Sequence, residues 1–256
     1  MVRAVLLLIL GALPILAATG KELPYKDGGT QLVGYLARPE APKGRVPGVL
    51  IIHQWMGVTE HERMEARRLA DLGYVALAAD IYGQGIRPRD AKEAAAQAGI
   101  YKGDRALYRR RIRAGLNVLL AEAGVDPKRV AVIGFCFGGT GALEAARDGM
   151  PVQGVVSFHG GLDAVPDPAA RAITAKVLVC HGADDPNVPP PVVAAFHDEM
   201  RRARADYTFI AYGGAVHAFT QKEAGDDPAK GVAYQEAAAR RSWEHMRLFF
   251  AEIFGS

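Results

Sequence analysis

Short, nearly continuous apolar runs recur along the chain at 49–52, 74–79, 129–135, 152–158, 176–180 and 207–212. Runs of this length bounded by Gly, Pro or Asp are expected of strands covered on both faces. A further strand is expected at 30–38, behind an Asp27-Gly28-Gly29 turn. Between the runs the spacing changes to that of helices. Residues 60–72 alternate as an amphipathic helix stopped by Gly73. A charged helical region covers 91–122, and helices are expected at 140–146, 190–204 and 231–254. Strands alternating with helices predict an α/β fold: a mostly parallel sheet with helices on both faces. In such sheets ligands bind at the carboxyl ends of the strands.

The first twenty residues follow a different pattern. Arg3 precedes an apolar stretch at 4–13 and a small-residue stretch at 14–20. That order is the one of a secretory signal peptide. The apolar core is shorter than the roughly 20 residues of a spanning helix. Residues 1–18 therefore read as a leader cleaved near Ala17 or Ala18. Residues 19–256 read as a single α/β domain, exported to the periplasm or secreted, with no stable membrane insertion.

Composition adds little beyond this. The chain has 256 residues, half of them hydrophobic, and a net charge of +3, enough for one full core and no reason to invoke nucleic acid. Its two cysteines, Cys136 and Cys180, cannot make a disulfide framework. The Arg109-Arg110-Arg111 run reads as a solvated helix face.

The chemistry sits at strand ends. The run at 129–133 leads into Gly-Phe-Cys-Phe-Gly-Gly at 134–139. A Gly-x-nucleophile-x-Gly turn between strand and helix holds its nucleophile in strained geometry, and a Cβ at Gly134 or Gly138 would clash across it. Cys136 is thus the expected nucleophile, and the N–H of Phe137 an expected oxyanion donor. A candidate acid follows in the segment 181–189, and His217, past the last strand, is the candidate base. Nucleophile, acid, base is the order of α/β-hydrolases. Cys180, at the end of an apolar strand, reads as a small buried hydrophobe.

These pieces resemble the dienelactone hydrolase family over about residues 25–254: the 134–139 turn, Gly-x-x-Asp-x-x-Val-Pro at 182–189, Gly-x-x-His-x-Phe at 214–219, Asp80-Ile81-Tyr82-Gly83, and His53-Gln54-Trp55-Met56-Gly57. The resemblance implies the α/β-hydrolase fold and a triad of Cys136, His217 and Asp185, with Asp184 the adjacent alternative. It also implies a second oxyanion N–H at Trp55. The implied activity is hydrolysis of small carboxylic esters or lactones through a thioester, without a cofactor. Family members bear a glutamate before the oxyanion residue, where this chain has Gln54. They bear two arginines for the substrate carboxylate, where it has Gln84 and Gln221; Arg87 and Arg89 are near but not aligned. A neutral substrate is therefore expected rather than dienelactone. Expected pocket residues are His53, Gln54, Tyr82, Arg87, His159 and Phe219. His53, His159 and His181 lack the spacing of a zinc site, so no metal is expected. The readings that compete are a non-catalytic or thiol-redox protein on the same fold, and an acyltransferase.

Overall fold

The computed structural model describes residues 18–164 and 172–255. The expected leader, up to residue 17, lies outside them. In chain order the elements are β1 (Gly20–Asp27), β2 (Thr30–Ala37), β3 (Val46–Ile52), α1 (Glu60–Asp71), β4 (Val75–Ala79), α2 (Ala91–Gly103), α3 (Arg105–Ala121), β5 (Val125–Phe135), α4 (Phe137–Arg147), β6 (Gly154–Phe158), β7 (Lys176–Gly182), α5 (Pro190–Arg202), β8 (Tyr207–Tyr212) and α6 (Glu236–Phe254). The strands form one sheet in the order β1-β2-β4-β3-β5-β6-β7-β8. The pairs β1/β2 and β2/β4 are antiparallel and all others parallel. This is the α/β-hydrolase fold that the sequence predicts.

Each apolar strand feeds two cores because successive side chains point to opposite faces. Leu50 and Ile52 of β3, Val132 of β5, and Val177 and Val179 of β7 pack with Tyr108, Ile112 and Leu116 of α3, Leu143 of α4 and Phe196 of α5. Their neighbours Val49, Ile51, Ile133, Leu178 and Cys180 pack with Leu69 of α1 and with Met246 and Phe250 of α6. Each such aliphatic side chain, fully buried, contributes about 1.5–3 kcal/mol. The continuous apolar runs are thus two interleaved faces.

The chain adds β4 on one side of β3 and β5 on the other, so the winding direction reverses between β3 and β5. Connections leaving those two carboxyl ends diverge and open a crevice. Ile52 and Phe135 end the two strands, and Ile52 is registered with Gly134.

Several boundaries differ from the sequence reading. β1 is not among the expected strands; of its residues only Tyr25 is buried, so its pattern is that of an exposed edge. Tyr25 anchors that edge through hydrogen bonds to the backbone of Asp80. The helical region at 91–122 is two helices, because the Asp104 side chain accepts the N–H of Leu107 and starts α3 afresh. The last helix begins at Glu236, since residues 231–233 instead pair with His217. The arginine run is only in part a solvated face: Arg109 pairs with Glu144, while the exposed Arg110 and the buried Arg111 converge on Asp27.

Candidate active site

Cys136 sits between β5 and α4 with φ 54° and ψ −115°, a conformation L residues rarely adopt. The turn is closed tightly enough to impose it. A Cβ on Gly134 would lie 1.9 Å from the Gly138 oxygen, and one on Gly138 would lie 2.0 Å from the Ile52 oxygen. Both glycines are therefore obligatory, and the second brings α4 against the end of β3. The N–H of Cys136 donates to the Phe158 carbonyl at 3.0 Å and to His159 Nδ1 at 3.1 Å.

His217 Nε2 lies 3.0 Å from Cys136 Sγ, and its Nδ1 lies 2.8 Å from Asp185 Oδ2. The sheet thus brings together three residues from the ends of β5, β7 and β8. Asp185 is held by its own turn, its other oxygen accepting the N–H of Asn187 at 2.8 Å. Asp184 faces away and accepts the N–H of Gly214 at 3.0 Å. The backbone of His217 is gripped by the segment before α6: its N–H donates to the Gly231 carbonyl at 3.2 Å and its carbonyl accepts from Ala233 at 3.1 Å. Burial is the largest influence on the imidazole and opposes its charge. The hydrogen bonds to Asp185 and Cys136 outweigh it, and His217 is pushed up to about 10. An imidazole this basic is suited to hold a proton taken from a thiol.

Two backbone N–H groups are the expected oxyanion donors. Phe137 is the first residue of α4, so its N–H has no acceptor within the helix. Tyr108 holds this residue in place, stacking on its ring at 4.6 Å and donating its hydroxyl to the Phe137 carbonyl at 2.8 Å. The Gln54 carbonyl accepts from His53 Nδ1 and, at 3.2 Å, from Gly57. The peptide is trans, so the Trp55 N–H points the opposite way. Among the described residues no acceptor takes that N–H. The Trp55 carbonyl accepts the Tyr82 hydroxyl at 2.9 Å, and its indole is partly exposed.

The remaining expected pocket residues fall into two groups. Gln54 is 8% exposed and its side-chain amide has no hydrogen-bond partner among the described residues. The others are buried or, for Arg87, turned onto backbone carbonyls. His53, His159 and Phe219 have no exposed surface, and Tyr82 almost none. Both ring nitrogens of His53 and of His159 are occupied, the latter by Cys136 N–H and by Thr220 Oγ1 at 2.8 Å. Burial, then the charge of His217, lowers the pKa of His159 well below its usual value. Arg87 turns back onto the Gly83 and Ile86 carbonyls and toward Asp80. Apolar runs before a histidine signal a strand end, but not which way the ring turns. His181 packs on Phe209, away from the other two. Among the described residues no three His, Cys, Asp or Glu side chains converge as a metal site.

One residue that the sequence reading passes over is Glu62. It is fully buried, accepts the N–H of Gln54 at 3.2 Å, and takes both the N–H and the hydroxyl of Thr59, at 2.8 and 2.6 Å. Thr59-x-x-Glu62 has capping-box spacing, which marks the start of α1. The reach back to Gln54 has no sequence signal.

The model of the dienelactone hydrolase family matches residues 32–254. A Salmonella typhimurium protein named "Putative carboxymethylenebutenolidase" is 30% identical over 89% of this chain and 85% of its own. A solved structure named m3DLH superposes with a TM-score of 0.88 at 43% identity, over 93% of this chain and 99% of its own. A dienelactone hydrolase-like promiscuous phosphotriesterase from metagenomic libraries superposes with a TM-score of 0.86 at 42% identity, with the same coverage.

Proposed function

This chain belongs to the dienelactone hydrolase family, and we propose that it cleaves small, uncharged carboxylic esters or lactones with Cys136 as nucleophile. It is a hydrolase of esterase or lactonase type acting on a small molecule; the cysteine mechanism and the substrate are our reading. The observation that carries it is His217, poised between Cys136 Sγ at 3.0 Å and Asp185 at 2.8 Å.

In this mechanism the thiol proton passes to His217 Nε2 and the sulfur adds to the acyl carbon. The carbonyl electron pair becomes an oxyanion between the N–H groups of Trp55 and Phe137, each worth about 3 kcal/mol in the barrier. As the carbonyl re-forms, the alkoxide leaves with the proton from His217, and a thioester remains. Water then gives a proton to His217 and adds to the thioester. Collapse of that intermediate returns the proton to sulfur and releases the acid. Asp185 holds the ring tautomer and stabilises its cation.

A neutral acyl group is favoured because Gln54, Gln84 and Gln221 stand where the family resemblance places charges. The nearby arginines are engaged elsewhere, Arg89 with Glu93 and Arg87 with backbone carbonyls. The redox alternative has less support. Cys180 lies two strands from β5, across β6, roughly 9–10 Å at the usual strand spacing. A disulfide needs its Cα atoms within about 7 Å. Burial also pushes the Cys180 thiol up to about 12, where it is inert. Acyl transfer differs only in what resolves the thioester. The leader sequence supports export.

A panel of short-chain aryl esters, lactones and one aryl phosphotriester tests the reading. Wild type is expected to hydrolyse the neutral esters or lactones, releasing free acid. Cys136→Ala is expected to lose at least about a thousandfold in kcat/KM. Iodoacetamide should label one thiol of the folded protein and abolish turnover. Full activity in Cys136→Ala would refute the assignment.

A further inference from the structure

The peptide that presents the Trp55 N–H is gripped by a side chain with no part in the mechanism above. His53 Nε2 accepts the N–H of Ile81 at 3.2 Å. A backbone amide only donates, so Nε2 is the bare nitrogen and the proton sits on Nδ1. Nδ1–H therefore donates to the Gln54 carbonyl. The ring is sealed, with the Tyr82 ring at 4.5 Å and the Phe137 ring at 5.8 Å. Burial lowers its pKa, which favours the neutral form this arrangement requires. Glu62 takes the Gln54 N–H at 3.2 Å and so holds the preceding, His53–Gln54 peptide. Gln54 is thus fixed at both of its backbone groups by residues one and eight positions away.

A loop peptide can rotate so that its N–H and C=O exchange places. Rotation of the Gln54–Trp55 peptide would turn an oxyanion donor into an acceptor that repels the developing charge. It would also leave His53 Nδ1–H buried without a partner, which opposes the rotation. Resting on the esterase reading, we propose that His53 is a positioning residue that locks the Gln54–Trp55 peptide in its donor orientation, while Glu62 fixes the adjoining His53–Gln54 peptide against which it would turn. His53 then acts on the oxyanion through the backbone, not as a ligand of the substrate.

The test separates oxyanion stabilisation from thiol reactivity. Ester cleavage needs both, whereas alkylation by iodoacetamide is a displacement at carbon that forms no oxyanion. His53→Phe keeps the ring and removes both hydrogen bonds. His53→Asn restores a donor near the place of Nδ1. His53→Phe is expected to lower kcat for an aryl ester about tenfold to hundredfold, the penalty of a misplaced group, with KM nearly unchanged. Its rate of Cys136 alkylation is expected to stay within about twofold of wild type, because the thiol and His217 are untouched. His53→Asn should recover part of kcat, and Glu62→Gln should lower kcat with the same unchanged alkylation. Wild-type kcat in His53→Phe overturns the proposal. So does a parallel loss of turnover and alkylation in both His53 variants, which would make the residue merely structural. If Cys136→Ala keeps wild-type turnover, the Cys136 nucleophile reading falls, and this inference with it.

Discussion

Asp184 and Asp185 are adjacent in sequence and opposite in use. Asp185 meets His217 Nδ1 at 2.8 Å, and Asp184 ties down the Gly214 N–H at 3.0 Å. Asp185→Asn is expected to lower kcat by about two to four orders of magnitude, because an amide favours the wrong tautomer. Asp184→Ala is expected to change kcat little and to cost about 1 kcal/mol of stability, that of one hydrogen bond. Steady-state kinetics and urea denaturation of both variants check the contrast. The proton on His217 has its own signature. Its folded pKa, about 10, exceeds the ordinary 6.5. Below about pH 6.5 the ring is protonated folded or unfolded, and its stabilisation is complete. Between about 6.5 and 10 only the folded state keeps the proton, so stability falls as pH rises. Urea midpoints of wild type should decline across that window more steeply than those of His217→Gln.

At the scale of elements, the first turn of α4 comes very close to the end of β3. A Cβ on Gly138 would meet the Ile52 backbone oxygen at 2.0 Å. Backbone cannot move aside as a side chain can, so Gly138→Ala should destabilise by about 3 kcal/mol or more. Chemical denaturation measures this, and Gly99→Ala, open on its helix with no atom within 4 Å, serves as the control. Elements also explain which parts of the fold were legible. The central strands announce themselves because both faces are buried. β1 does not, because one buried Tyr25 in eight residues gives no period. The start of α6 was misplaced because the 231–233 segment pairs with His217, a contact set by tertiary structure.

For the whole molecule, the Ala18 N–H donates to Asp71 at 2.9 Å. If the leader is cut after Ala17, the new α-ammonium meets that carboxylate. N-terminal sequencing of the protein recovered from a periplasmic extract or the medium should begin at or near Ala18; an intact Met1 there would sink the leader reading. The fold class, the Gly-x-Cys-x-Gly turn and the order of the candidate triad are legible in the amino-acid sequence. Those depend on local patterns: apolar runs, obligatory glycines and motifs at strand ends. By itself the sequence did not determine what the histidines do. His53 and His159 both follow apolar runs and both looked like pocket residues, yet each is buried with its nitrogens spent on backbone and on neighbouring side chains. Only the tertiary structure decided that, because a ring's direction depends on donors and acceptors supplied by strands far away in sequence. The same holds for Glu62, whose local role as a cap is written in the sequence while its grip on Gln54 arises when α1 packs beside β3.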